Sequence, residues 1–243
     1  MRKKYIYIVI TFIAMHLSTF IGFPLLYVAG IKFYHVDPKK MEFLAAGMWV
    51  VISFVIGLLV VLLLLRKAMP YTKIEKSEPM SVSSSINWAI GGIFLAFISQ
   101  IIAVLVENLI GIDPGSQNTA HIMELIRMVP LVVLSSSVLG PILEEIVFRK
   151  VIFGTLYNRF PFWVSALISS IIFSLAHQEP KHLILYAAMG FTFSFLYVKT
   201  KRIIVPIVSH VAMNTIVTIA QFNVPDKQPE ALGLLKSWMG GLF

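Results

Sequence analysis

Long apolar runs, separated by short polar or basic stretches, fill most of the chain. A helix crossing a membrane needs about 20 predominantly apolar residues. Tyr5–Val28, Met41–Leu65 and Ile86–Ile110 each satisfy that length, and the third is closed by Gly111 and the Asp113-Pro114-Gly115 turn. Between the second and third lies a polar stretch, 66–85, with Pro70, Pro79 and the serine-rich segment Ser81 to Ser85, which reads as an aqueous linker. From Ile122 to Phe160 the pattern is helical but too long for one crossing. At about 1.5 Å per residue it would extend roughly 58 Å, against a hydrocarbon core of about 30 Å. Gly140-Pro141 is the expected break, because proline removes a helix hydrogen bond and is well placed in the first turn of a new helix. Three shorter apolar segments follow: Pro161–His177, His182–Val198 and Ile203–Phe222. The pattern therefore predicts an all-α polytopic membrane protein with eight transmembrane helices, or seven. It divides into N-terminal helices (1–120), a helical core (121–222) and a C-terminal tail (223–243). No internal repeat is visible, which argues against an inverted-repeat transporter.

Composition agrees with a bilayer as solvent. Of 243 residues 58% are hydrophobic and 13% are charged, about half the charged fraction of a typical soluble domain. The net charge of +8 does not imply nucleic acid, because the basic residues sit in clusters flanking apolar runs: Arg2-Lys3-Lys4, Arg66-Lys67, and Lys199 with Lys201-Arg202. Such clusters anchor helices and set topology. They place the N-terminus and the linker in the cytoplasm. With eight helices the Lys199–Arg202 cluster would fall outside, against the positive-inside rule; with seven it would be cytoplasmic. The first apolar run exceeds the 7–15 residues of a signal-peptide core and is read as the first membrane helix. The chain has no cysteine, which excludes disulfides, thiolate metal ligands and a cysteine nucleophile.

Ionisable groups inside membrane helices are costly and usually functional. Here they concentrate in three places: Glu144-Glu145 with Arg149 (EExxxR), Phe173 with His177 (FxxxH), and His210 with Asn214 (HxxxN). Four-residue spacing puts Glu145 and Arg149 on one helix face, with the acid N-terminal, and stacks Asn214 over His210. Glu144 points about 100° away from Glu145. Glu145 is therefore assigned to a structural pair with Arg149, and Glu144 to chemistry. Depth agrees: Glu144 precedes Phe160 by 16 residues and His177 follows Pro161 by 16, so both sit about 24 Å from the intervening turn, with Asn214 near the same level. Phe173 is read as packing. His16, His35, His121 and His182 fall at helix ends or in loops and are given no role.

These three motifs, in this order on successive helices, resemble those of the CAAX-protease and bacteriocin-processing (CPBP, or Abi) family, intramembrane glutamic endopeptidases related to the type II CAAX prenyl endopeptidases. The resemblance covers Pro141 to Asn214, and Pro141, Gly190 and Thr200 also fit it. Ser194 stands where many members carry a second glycine, a departure that touches helix packing. The resemblance implies that Glu144 is a general base assisted by His177, and that His210 and Asn214 form an oxyanion hole. It also implies a peptide or protein substrate entering from the membrane, lipidated or not, in a bacterial-type cell membrane. The chemistry is self-consistent: a desolvated carboxylate can activate water, and an Asn NH₂ and a His N–H can meet the developing oxyanion. No cofactor is required. Zinc is the rival, since two His and a Glu can ligate it, but HExxH is absent. The other readings are a non-proteolytic scaffold or regulator retaining the fold, and a transporter.

Overall fold

The structure, a computed structural model, describes residues 3–66, 68–113 and 117–222. Arg2 and Lys67 of the basic clusters, Pro114 and Gly115 of the expected turn, and the 223–243 tail lie outside the described residues. Among the described residues every regular element is a helix. α1 (Lys3–Leu17) and α2 (Thr19–Tyr34) form one run bent at Ser18, whose Oγ donates to the Met15 carbonyl at 2.6 Å and accepts from Trp49 Nε1 at 3.1 Å. Then come α3 (Pro38–Arg66), the single turn α4 (Lys73–Lys76), α5 (Val82–Leu109) and α6 (Gln117–Met128). A long helix α7 (132–157) is followed by α8 (Phe162–Ala176), α9 (Leu183–Thr200) and α10 (Ile204–Phe222). Among the described residues five stretches are long and apolar enough to cross a membrane: Lys3–Tyr34, Pro38–Arg66, Val82–Leu109, Pro180–Thr200 and Ile204–Phe222. The protein is thus an all-α polytopic membrane protein.

Its helices turn large apolar side chains outward, as a lipid environment requires, and bury small polar ones among an apolar core. In α8 the buried face is Ser165, Ser169, Ser170 and Ser174, while Trp163, Leu167 and Leu175 point outward. Small residues let backbones approach, since lipid offers no hydrophobic drive to pull helices together. Gly190 of α9 meets α8 so closely that an added Cβ would lie 2.2 Å from Ser170 Oγ.

The expected break at Gly140-Pro141 does not occur. The chain turns instead at Val129–Leu131, around Pro130, and α7 runs on through Pro141. A proline inside a helix clashes with the carbonyl one turn back. Here that turn is widened: Ser135–Leu139 is π-helical, and the N–H of Gly140 bonds to the carbonyl five residues earlier, that of Ser135. A second π stretch, Glu145–Phe153, begins one residue after Glu144. π turns inside α-helices are frequent at functional sites.

The linker is docked rather than hanging in water. Thr72 and Glu75 form a capping box around α4, and Thr72 and Ile74 are buried. Glu75 also accepts from Tyr5 OH at 2.6 Å and pairs with Lys150 of α7. The Lys73 N–H donates to Asn158 Oδ1 at 2.7 Å, Met80 N–H to the Thr200 carbonyl at 3.0 Å, and Arg202 Nε to the Met80 carbonyl at 2.7 Å. The start of α1, the linker, the α7–α8 turn and the α9–α10 turn therefore share one end of the bundle. The Lys199–Arg202 cluster lies at that end, with Lys73 and Lys150.

Candidate active site

α7 and α10 are joined by a seam of polar contacts at four-residue intervals along α10. His210 Nδ1 donates to Glu145 Oε1 at 2.9 Å. One turn on, Asn214 Nδ2 donates to the Ser136 carbonyl at 3.4 Å. One turn further, Thr218 Oγ1 and Ser137 Oγ bond at 2.9 Å. The π turn of α7 thus presents two of the three partners that fix α10.

Glu145 and Arg149 lie together as their spacing predicts, with Nη1 to Oε1 at 3.0 Å, and both are fully buried. The same carboxylate oxygen also holds His210, which the spacing alone did not reveal. The Arg149 guanidinium lies 4.1 Å over the Phe173 ring and 5.3 Å from the Phe193 ring. Aromatic faces attract a cation and replace part of the hydration lost on burial. Phe193 in turn stacks on His210 at 4.6 Å. Phe173 is therefore packing with an electrostatic task.

Glu144 takes a different face, onto a cavity of about 590 Å³, and is 21% exposed. His177, His210 and Asn214 line the same cavity, so the four level-matched residues from α7, α8 and α10 are brought together. Glu144 Oε2 lies 3.9 Å from His210 Nε2, too far for a direct bond and suited to a bridging water. His177 caps the end of α8, with Nδ1 against the Phe173 carbonyl at 2.8 Å and its ring stacked on Tyr186 at 4.2 Å. A carbonyl only accepts, so that contact fixes the His177 proton on Nδ1 and leaves Nε2 for the cavity.

Several lining residues carry no motif. His16 of α1 and His121 of α6 border the cavity, with Phe12, Val50 and Phe54 on the same wall. The N-terminal helices, featureless in sequence, thus build the far side of the chamber. Glu107 of α5 is buried with His182: Oε2 accepts from His182 Nδ1 at 2.8 Å and Oε1 from the Leu185 N–H at 3.0 Å. That contact pins the α8–α9 connection that follows His177. A carboxylate near the end of α5 was its only sequence signal. Among the described residues no three His, Asp or Glu side chains converge closely enough to ligate one ion.

A family model described as Type II CAAX prenyl endopeptidase Rce1-like matches residues 126–216. The chain is 46% identical over 248 residues to "Putative membrane peptidase YdiL" of Bacillus subtilis, covering 100% of both chains. It is 34% identical over 230 residues to the Membrane-embedded CAAX protease MroQ of Staphylococcus aureus, covering 91% of this chain and 92% of that one. No solved structure matches.

Proposed function

We propose, for a chain that belongs to the Rce1-like family of type II CAAX prenyl endopeptidases and is a membrane protease of that kind, a metal-free hydrolysis in which Glu144 activates the attacking water. The observation that carries this reading is the facing of Glu144 Oε2 and His210 Nε2 across 3.9 Å in a chamber that His177 and Asn214 also line. A water in that gap can bond to both groups. Glu144 takes one water proton as the oxygen bonds to the substrate carbonyl carbon, and the carbonyl π electrons move onto oxygen. Asn214 has a second N–H beyond the one given to Ser136. His210, with Nδ1–H on Glu145, offers Nε2–H when it is an imidazolium. These are two donors for the oxyanion. As the tetrahedral centre collapses, the C–N bond breaks and Glu144 returns its proton to the leaving amine. His177 Nε2 is free to accept from the same water.

The test is Glu144→Gln in the full chain in liposomes, with a quenched fluorogenic farnesylated Cys-aliphatic-aliphatic-X peptide. Gln keeps the shape and cannot take the proton, so the rate should fall about 10²–10⁴-fold while the protein stays monodisperse. Cleavage at the wild-type rate would leave the scaffold reading in its place. A zinc-dependent peptidase is the second reading. It is favoured by one observation: both His177 and His210 have Nδ1 engaged and Nε2 turned to the cavity, as zinc-bound histidines do.

The basic end of the bundle supports a cytoplasmic N-terminus and seven crossings, counting α1–α2 as one and adding α7 and α8. The apolar wall of Phe12, Val50 and Phe54 suits a peptide or protein segment arriving from the bilayer, lipidated or not. Single cysteines at Lys76 and Lys40 should label from opposite sides of intact cells; labelling from one side overturns this topology.

A further inference from the structure

The π turn before Glu144 leaves one backbone acceptor without a helix donor. Gly140 N–H bonds to the Ser135 carbonyl, five residues back. In the same pattern the Ser136 carbonyl would need the N–H of residue 141. That residue is proline, which has none. Asn214 Nδ2 reaches this carbonyl from α10, at 3.4 Å. Because a carbonyl can only accept, the contact dictates which end of the Asn214 amide faces α7. The Asn214 Oδ1 is buried and without a hydrogen-bond partner among the described residues, so nothing else there sets the amide's orientation. Gly140 is part of the same device: a Cβ at that position would lie 2.9 Å from the Ser135 carbonyl oxygen, which a π turn of this tightness cannot admit without shifting.

We infer that Pro141, with Gly140, is a positioning element of the reaction: it withholds a backbone donor so that the Ser136 carbonyl orients the Asn214 amide toward the substrate. This rests on the reading of Asn214 as an oxyanion donor given above. An ordinary residue at 141 brings an N–H within reach of the Ser136 carbonyl, completing the ladder and releasing the Asn214 side chain. The helix then gains a hydrogen bond as the site loses a fixed donor. Position 141 does not touch substrate in this scheme and acts only through Asn214.

Two variants, Pro141→Ala and Gly140→Ala, disturb the turn from opposite sides. Each is read in the full chain by two measurements. The first is the side-chain amide resonance of Asn214 in ¹⁵N-asparagine-labelled protein, assigned by its loss in Asn214→Ala; it needs no substrate. Both variants should move that resonance pair toward the position of a free amide. The second is kcat with the farnesylated fluorogenic peptide: each variant should lower it at least tenfold with KM little changed. Neither should lower it further in an Asn214→Ala background. An unmoved Asn214 resonance in both variants overturns the inference, as does a loss of kcat that persists undiminished without Asn214. If Asn214→Ala itself cleaves at the wild-type rate while the resonance moves as expected, the geometry stands and the oxyanion role of Asn214 fails.

Discussion

Replacing Glu145 by glutamine separates the two tasks its carboxylate performs. Oε1 accepts from His210 Nδ1 at 2.9 Å and pairs with the Arg149 charge, Nη1 at 3.0 Å without hydrogen-bond geometry, while the buried Oε2 has no hydrogen-bond partner among the described residues. In Glu145→Gln the amide oxygen can occupy the Oε1 position and keep the His210 bond and the Arg149 contact, with NH₂ where Oε2 stood. Geometry survives and the charge does not. Removing one partner of a buried ion pair costs about 3–5 kcal/mol; since the His210 hydrogen bond persists, the low end, about 3 kcal/mol, applies, or roughly a hundredfold in the folding equilibrium. Glu145→Leu strands the His210 donor as well and should cost about 2 kcal/mol more. Adding Arg149→Met to Glu145→Gln removes the uncompensated charge, and stability should largely return. Activity should not, because His210 is still held by a neutral acceptor, and charge-assisted hydrogen bonds are roughly twice as strong as neutral ones. The assay is SDS-induced unfolding in mixed micelles followed by tryptophan fluorescence, paired with cleavage of the fluorogenic peptide by the same samples. Wild-type stability in Glu145→Gln refutes the energetic argument. Full recovery of both properties in the double variant refutes a role for Glu145 in holding His210.

Asn214→Ala should retain more activity than Glu144→Gln, losing about 10²–10³-fold because a second oxyanion donor remains, with His177→Ala between them; steady-state rates on one peptide rank the three. Activity should survive dialysis against strong chelators, with no stoichiometric zinc by elemental analysis; recovery only on adding Zn²⁺ establishes the metallopeptidase reading. Burial alone would raise the Glu75 pKa, but Lys150, the Thr72 and Tyr71 N–H groups and Tyr5 OH outweigh it and lower the value from 4.5 to about 2. A lowered folded-state pKa stabilises above the ordinary carboxylate range, and that stability is lost as pH falls from about 4.5 toward 2. The melting temperature should drop through this window in the wild type and less steeply in Glu75→Gln.

Much of the site was legible because helices convert sequence spacing into geometry. Glu145–Arg149 and His210–Asn214 lie on common faces as period 3.6 requires, and equal chain lengths on either side of the α7–α8 turn bring Glu144 and His177 to one level. What the spacing could not supply was contact between helices. The Glu145–His210 bond, the Glu107–His182 pair and the cavity wall carrying His16 and His121 depend on how helices pack, for which one sequence carries no period. The break expected at Gly140-Pro141 was misjudged for a local reason: proline forbids an α turn, but a wider turn accommodates it. The docked linker did have a signal, Thr72 three residues before Glu75, in a stretch whose overall polarity reads as loop. Thr218 had one too, since it continues the His210–Asn214 interval by four.

A π turn holds one residue more than an α turn of the same span. It can therefore be read as a single-residue insertion tolerated in an older, regular helix, and it is reversible in the same step. A chain lacking Val138 alone would return that turn to α geometry and set the Pro141 ring against the Ser136 carbonyl, now one turn back. The residues beyond the deletion would keep their faces, because the π turn already absorbs the extra residue. Glu144 would still face the cavity, while the Ser136 carbonyl, crowded by the ring, could no longer serve Asn214. Such a chain would keep the faces of its helices and lose the anchor of Asn214, so one codon separates fold from turnover at this position.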